Sequence, residues 1–242
     1  MTRISRAVSN TVSFSPSRAI ETFPHMDLAG GGGGGGTTLT IDLATSDASP
    51  TANYDTGEFR KSDAFSSSIP TTFDSYIQRG YDYRQVGISY SSYYSSYDFY
   101  HPYFRFVNVG VPQGSTISSA YLILEVPASP AGYPASDGDT FRIAGYDSDD
   151  VSQPSTGSDG AHSLHTSATV DGWQLRSDEG ITTSPDIKTI IQEIVDRAGW
   201  SSGNDMMFMV WQPTAQSSTY RRYYNTGKDS GDTAPQLQIT YS

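Results

Sequence analysis

From Thr37 the chain alternates between apolar and polar positions: Leu39, Ile41 and Leu43 point one way, Thr38, Thr40 and Asp42 the other. That period of two predicts a strand. Ser46 to Ala64 is polar and turn-rich, with Pro50 and Gly57, and reads as a long loop. Strand signals resume between Phe73 and Val109 in SYIQRG, QVGISY and YFRFVNV, where Phe104 and Phe106 alternate with Tyr103, Arg105 and Val107. After a Pro112-Gln113-Gly114 turn, Ala120, Leu122 and Leu124 alternate with Tyr121, Ile123 and Glu125. Both faces of that strand are partly apolar, which predicts a central position in a sheet. Phe141 to Ala144, Met206 to Trp211 and Leu237 to Tyr241 supply further strands, with Pro235 placed before the last one, where a missing N–H costs least.

One segment has a different period. In SPDIKTIIQEIVDRAG, Ser184 to Gly199, the residues Ile187, Ile190, Ile191, Ile194 and Val195 form a single stripe at helical spacing. Ser184 as a cap, Pro185 in the first turn and Gly199 at the stop complete a helix signature. One amphipathic helix among strands predicts a plug on a β-sandwich.

Residues 1 to 36 follow neither period. Arg3, Arg6 and Arg18 precede the first acid, Glu21, and the segment ends in seven glycines, Gly30 to Gly36. Glycine has the freest backbone, so this reads as an extended arm with a hinge. The predicted organisation is an arm over 1–36, a strand and loop extension over 37–72, and a β-sandwich domain over 73–242.

Composition narrows the function classes. A formal charge of −11 opposes phosphate binding, so nucleic acid is not an expected partner. With no cysteine, disulfides and thiolate chemistry are excluded. The N-terminus lacks the apolar run of a secretory signal, and no stretch approaches the roughly 20 apolar residues of a membrane helix. No nucleophile elbow, phosphate loop or dinucleotide fingerprint is present, which favours a non-catalytic protein.

The segments Asp74 to Ile77, Tyr103 to Val126, Phe141 to Ser155, Ser184 to Trp211 and Ala234 to Tyr241, in that order, resemble the DNRLRE-type jelly-roll domains. These are similar to carbohydrate-binding modules and occur in secreted bacterial and phage proteins. The resemblance implies a jelly-roll-like sandwich used for surface binding or assembly, and it carries over no ligand residues. With an arm in place of an export signal, the expectation is a bacteriophage virion structural protein, a capsid decoration, cement or fibre component. Its expected partners are other virion subunits or itself as a homo-oligomer, and host-surface glycans; its expected location is the virion surface. The alternative is a secreted, extracellular carbohydrate-binding module.

Candidate contact residues follow from side-chain chemistry. Nine of the 17 tyrosines lie between Tyr76 and Tyr103, and Tyr90, Tyr93, Tyr94, Tyr97 and Tyr100 are interleaved with serines in the manner of adaptable binding loops. Arg221 and Arg222, set among Tyr220, Tyr223 and Tyr224, add guanidinium groups for an acidic or aromatic partner. Arg3, Arg6 and Arg18 are the candidate assembly contacts of the arm. Three acidic groupings, Asp137 with Asp139, Asp147 with Asp149 and Asp150, and Asp229 with Asp232, are the only candidate calcium ligands, and none has the spacing of a defined loop motif. His162 and His165 lack further ligands in sequence, so no metal or other cofactor is expected.

Overall fold

The computed structural model describes residues 36–43, 55–64, 69–75, 77–78, 83–91, 95–127, 140–175, 179–214, 221–227 and 233–242. The arm, with Arg3, Arg6 and Arg18, lies outside the described residues.

The described chain is an all-β sandwich of two antiparallel sheets with one α-helix. One sheet holds β1 (Thr37–Asp42), β12 (Gln236–Tyr241), β6 (Ile117–Val126) and β9 (Gly180–Thr183), in that order. The larger sheet runs β11 (Arg221–Asn225), β4 (Tyr83–Ser91), β5 (Ser96–Phe106), β10 (Met206–Trp211), β7 (Phe141–Tyr146) and β8 (His165–Trp173), with β2 (Thr56–Asp63) and β3 (Ile77–Gln78) attached through β5. All pairings are antiparallel. Successive strands cross between sheets, as β6 to β7 and β11 to β12 do, so sequence neighbours are seldom sheet neighbours. β6 is central, between β12 and β9, as its two apolar faces predict.

β5 is the branch point of the larger sheet. β2 lines one edge from Tyr97 to Phe104, while the other edge is divided between β4 on Ser96–Tyr100 and β10 on Tyr103–Phe106. Pro102 falls at this changeover, where one neighbour has ended and the next has not begun, so the absent N–H breaks no continuous ladder.

The alternation in β10 shows how the larger sheet is buried. Met206, Phe208 and Val210 join the sandwich interior with Leu122, Leu237 and the helix isoleucines. Met207, Met209 and Trp211 join a second cluster on the opposite face with Phe59, Tyr103 and Tyr146. This second, outer face is covered by the 69–75 segment and by the stretch from Asp147 to Leu164.

The helix α1 (Lys188–Val195) is shorter than the sequence predicts, and its stripe is buried as expected, Ile187, Ile190, Ile191, Ile194 and Val195 each being at most 1% exposed. Burying each such side chain stabilises the fold by about 1.5–3 kcal/mol. Ser184 does not cap it: its hydroxyl accepts from the Leu122 amide and donates to the Pro185 carbonyl. Asp186 takes that place instead, one carboxylate oxygen accepting the amides of Lys188 and Ala120. The polar side of α1 ties the two sheets together. Gln192 bonds the backbone of Ser115 and Ile117 at the start of β6, and Glu193 accepts the amides of Ser167 and Ala168 in β8.

Two further expectations need correction, and two strands were not anticipated. The segment read as a loop contains β2, and both β1 and β2 are built into the sheets, so Thr37–Asp42 and Thr56–Asp63 are part of the sandwich and not an extension to it. β2 was hidden because its buried positions are Thr56, Gly57, Glu58 and Phe59, only one of them a large apolar residue. β8 and β9, which carry HTSATVDGW and GITT, are strands that their polar composition conceals.

Candidate functional site

Among the predicted contact residues, the structure brings Tyr90 and Tyr97 together. They are direct cross-strand partners in the β4–β5 hairpin, with ring centroids 5.0 Å apart and planes tilted by 49°. Tyr90 is 44% exposed and Tyr97 half-buried, so the pair offers an aromatic surface on a rigid ladder. Tyr93 and Tyr94 lie outside the described residues. Tyr100 is a correction: it is 6% exposed, and its hydroxyl donates to Asp98, so its ring is withdrawn from the surface. Asp98 also accepts from Arg60 at 2.8 Å and Ser62 at 2.5 Å, which fixes β2 against β5. Arg221 and Arg222 are in β11, opposite Gly87 and Val86, and their side chains are not among those described. Tyr224, two residues on, is fully buried against Phe104.

Strand alternation extends this surface inward. Tyr97, Phe99, His101 and Tyr103 lie on one side of β5, which is the outer face of the larger sheet. The row passes from the exposed tyrosine pair to a buried cluster that sequence reading missed.

That cluster contains three of the chain's four histidines. His101 comes from β5, His162 from a short turn after Gly160, and His165 from the first position of β8. His101 Nδ1 and His162 Nε2 are 3.4 Å apart, one ring donating its N–H to the other's lone pair. The rings of His101 and His162 stack with centroids 5.5 Å apart, and His165 lies 5.2 Å from His162. Trp211 packs at 4.6 Å from His162 and 5.5 Å from His165, while Phe73 meets His101 edge-on at 4.7 Å. Tyr146 closes the far side, 4.9 Å from His165.

Burial disfavours the charged imidazole, and each ring's neighbours reinforce it. Burial drives His101 well below the ordinary histidine value of 6.5, and His162 and His165 add to this. His162 falls to about 4 through burial and the nearby Arg142, and His165 to about 3 through burial and His162. All three are therefore neutral near pH 7. His165 Nε2 is buried and has no hydrogen-bond partner among the described residues.

The acidic turn at 147–150 is committed to structure. Arg197 binds Asp147 and holds Asp149 at 2.6 Å, and Asp150 accepts the amide of Asp205 at 2.9 Å. Asp205 in turn pairs with Arg105, which also holds Asp55 at 2.5 Å. Among the described residues, no group of three or more His, Asp or Glu side chains is placed to hold a metal ion. Asp137, Asp139, Asp229 and Asp232 lie outside the described residues. Beside the histidine cluster, Tyr146, Asp147, Val151, Pro154, Leu164 and Met207 line a cleft of about 360 Å³.

No signal in the sequence joins His101 to His162 and Trp211, which are 61 and 110 positions away. Only the pairing of β5 with β10, and of β7 with β8, brings them to one place. Compared with known proteins, the chain matches no family model and no curated protein sequence.

Proposed function

We propose that this chain is a non-catalytic contact protein that uses the tyrosine end of its outer face to hold carbohydrate. The Tyr90–Tyr97 pair carries this reading. Two tilted rings on adjacent strands present apolar faces and polar tips in one fixed arrangement, which suits the C–H face and the hydroxyls of a sugar ring. A non-catalytic role is supported by the carboxylates themselves: Asp55, Asp98, Asp147, Asp149, Asp171 and Asp205 are each engaged by an arginine. A carboxylate tied to a guanidinium is not free to turn to a substrate.

The place of this contact is the surface of a bacteriophage particle, in a decoration, cement or fibre role, with many copies adding weak contacts together. What supports that placement is sequence: the Arg3, Arg6 and Arg18 arm, the glycine run and the resemblance to jelly-roll domains.

A glycan array with the full chain, Tyr90→Ala and Tyr97→Ala tests the contact reading. Binding that is lost in both variants is the expected result, and an array with no bound glycan overturns it. Deletion of residues 1–36 tests the placement. The shortened chain is expected to keep sugar binding and to fail to join particles, whereas full incorporation overturns the arm as the anchor.

A further inference from the structure

We propose that His101, His162 and His165 form an acid-sensitive latch: as neutral rings they hold the 69–75 and 152–164 segments down over the outer face, and proton uptake releases them, while 147–151 stays tied by Arg197, Arg105 and Asp205.

The two segments are fastened to each other and to the sheet at a few points. The His162 amide donates to the Thr71 carbonyl at 3.2 Å, and the Asp74 amide to Arg60 at 2.9 Å. The Tyr146 hydroxyl donates to the Asp159 carbonyl at 2.7 Å. His162 sits between these ties, stacked on His101 below it. The His101–His162 bond requires one nitrogen with a free lone pair. An imidazolium has two N–H groups and no acceptor, so the bond is lost once both rings are protonated.

Among the described residues, no unpaired carboxylate is arranged to receive such charge. On β7, Arg142 is a cation, and it is already paired with Asp171 of β8 at 2.6 and 2.7 Å. On β2, Arg60 and Lys61 are cations paired with Asp98 and Asp74. The Asp159 carboxylate is taken by the amides of Ser155 and Thr156 and by the Ser155 hydroxyl. β10 contributes Trp211, 4.6 Å from His162, and β5 contributes Tyr103; their ring faces attract a cation but carry no negative charge to neutralise one. Three imidazolium rings about 5 Å apart would repel one another in a poorly solvated site.

The direction of the pH effect follows. An opened latch exposes its histidines, which then take up protons near 6.5, while the closed form refuses them until about 4 at His162 and about 3 at His165. Closure is therefore fully favoured above pH 6.5 and weakens as pH falls through that window. For each imidazole protonated only in the open form, the opening equilibrium rises about tenfold per pH unit. Opening bares Trp211, Met209 and Phe59 and lengthens the aromatic row that starts at Tyr97. Its use for binding rests on the contact reading above; the opening itself does not.

The test is amide hydrogen exchange between pH 7 and 4, corrected for intrinsic rates, with histidine ring NMR in a His25→Gln background that leaves three imidazole signals. The expected result is progressive loss of protection at the His162 and Asp74 amides below pH 6.5, while β10 amides such as Phe208 stay protected. His162→Gln should flatten the pH dependence, and His165→Asn, at the edge of the cluster, should flatten it in part. Protection at His162 that does not change with pH overturns the latch. So does simultaneous loss at His162 and Phe208, which is global unfolding, or a slope unchanged in both variants, which assigns the effect to carboxylates. None of these outcomes depends on glycan binding.

Discussion

The two faces of the larger sheet are both buried, but by different kinds of cover. Against the inner face lies a second sheet joined by full ladders, with α1 clipping the two together through Gln192 and Glu193. Its core contacts are aliphatic side chains, phenylalanines, Trp173, Trp200 and the buried Tyr224, none of which takes up a proton between pH 7 and 4. Against the outer face lie two segments without extended ladders, 69–75 and 152–164, secured by isolated bonds and by rings of His, Trp, Tyr and Phe. Such a layer can detach without unzipping a sheet, because local opening needs only the loss of those few ties. The same sheet is therefore structural on one side and convertible on the other.

The largest expected effect falls on the inner side. Phe208 is fully buried between Phe104 of β5 and Gly145 of β7, with Phe106 at 6.1 Å. Phe208→Ala should cost about 3–5 kcal/mol, since its neighbours belong to paired strands and cannot collapse into the cavity. Urea unfolding followed by separate probes on both faces should show the same loss at each. A loss below about 1 kcal/mol would mean that the inner face is not what holds the domain together.

How far this contrast is legible in the sequence depends on the residue. The inner face is written in period-two runs such as Ala120, Leu122, Leu124 and in the isoleucine stripe of α1, and both appear where the pattern puts them. In β10, MMFMVW, the pattern is continuous; it signals burial on both faces without saying what covers each. β2 and β8 escape because Glu58, Thr56 and Thr166 are buried as polar residues, through bonds that only tertiary neighbours supply. Of the contact surface, the cross-strand meeting of Tyr90 and Tyr97 was within reach of the serine-tyrosine run. The burial of Tyr100 was not, because it depends on β2 lying along the far edge of β5. The histidine cluster could not be read at all, being a product of register between strands distant in the chain.

An intermediate effect should come from the outer cover. Gly157 packs so closely that a Cβ there would lie 1.7 Å from the Asp74 carbonyl oxygen, a backbone atom that cannot rotate away. Gly157→Ala must push the two segments apart, at about 1–3 kcal/mol. The loss should be local, read as faster exchange at the Asp74 and His162 amides with β10 unaltered. If instead urea unfolding shows a uniform loss across the domain, the outer cover is part of the same cooperative unit as the core, and the contrast between the faces fails.

The smallest effect on stability belongs to the place where the outer row reaches solvent. Tyr90 is exposed and touches Tyr97 across the hairpin, a contact of the kind worth about 0.2–1 kcal/mol. Tyr90→Ala should therefore leave the unfolding midpoint nearly unchanged, and the amides of the histidine cluster, farther along the row, should keep their protection. Its cost should appear in binding alone. Sheet stability would then owe little to the residue on which the proposed contact rests, as expected where a rigid scaffold displays a side chain and is not held by it. A loss above about 2 kcal/mol would reverse this, making the tyrosine pair a structural staple of the β4–β5 hairpin rather than its working surface.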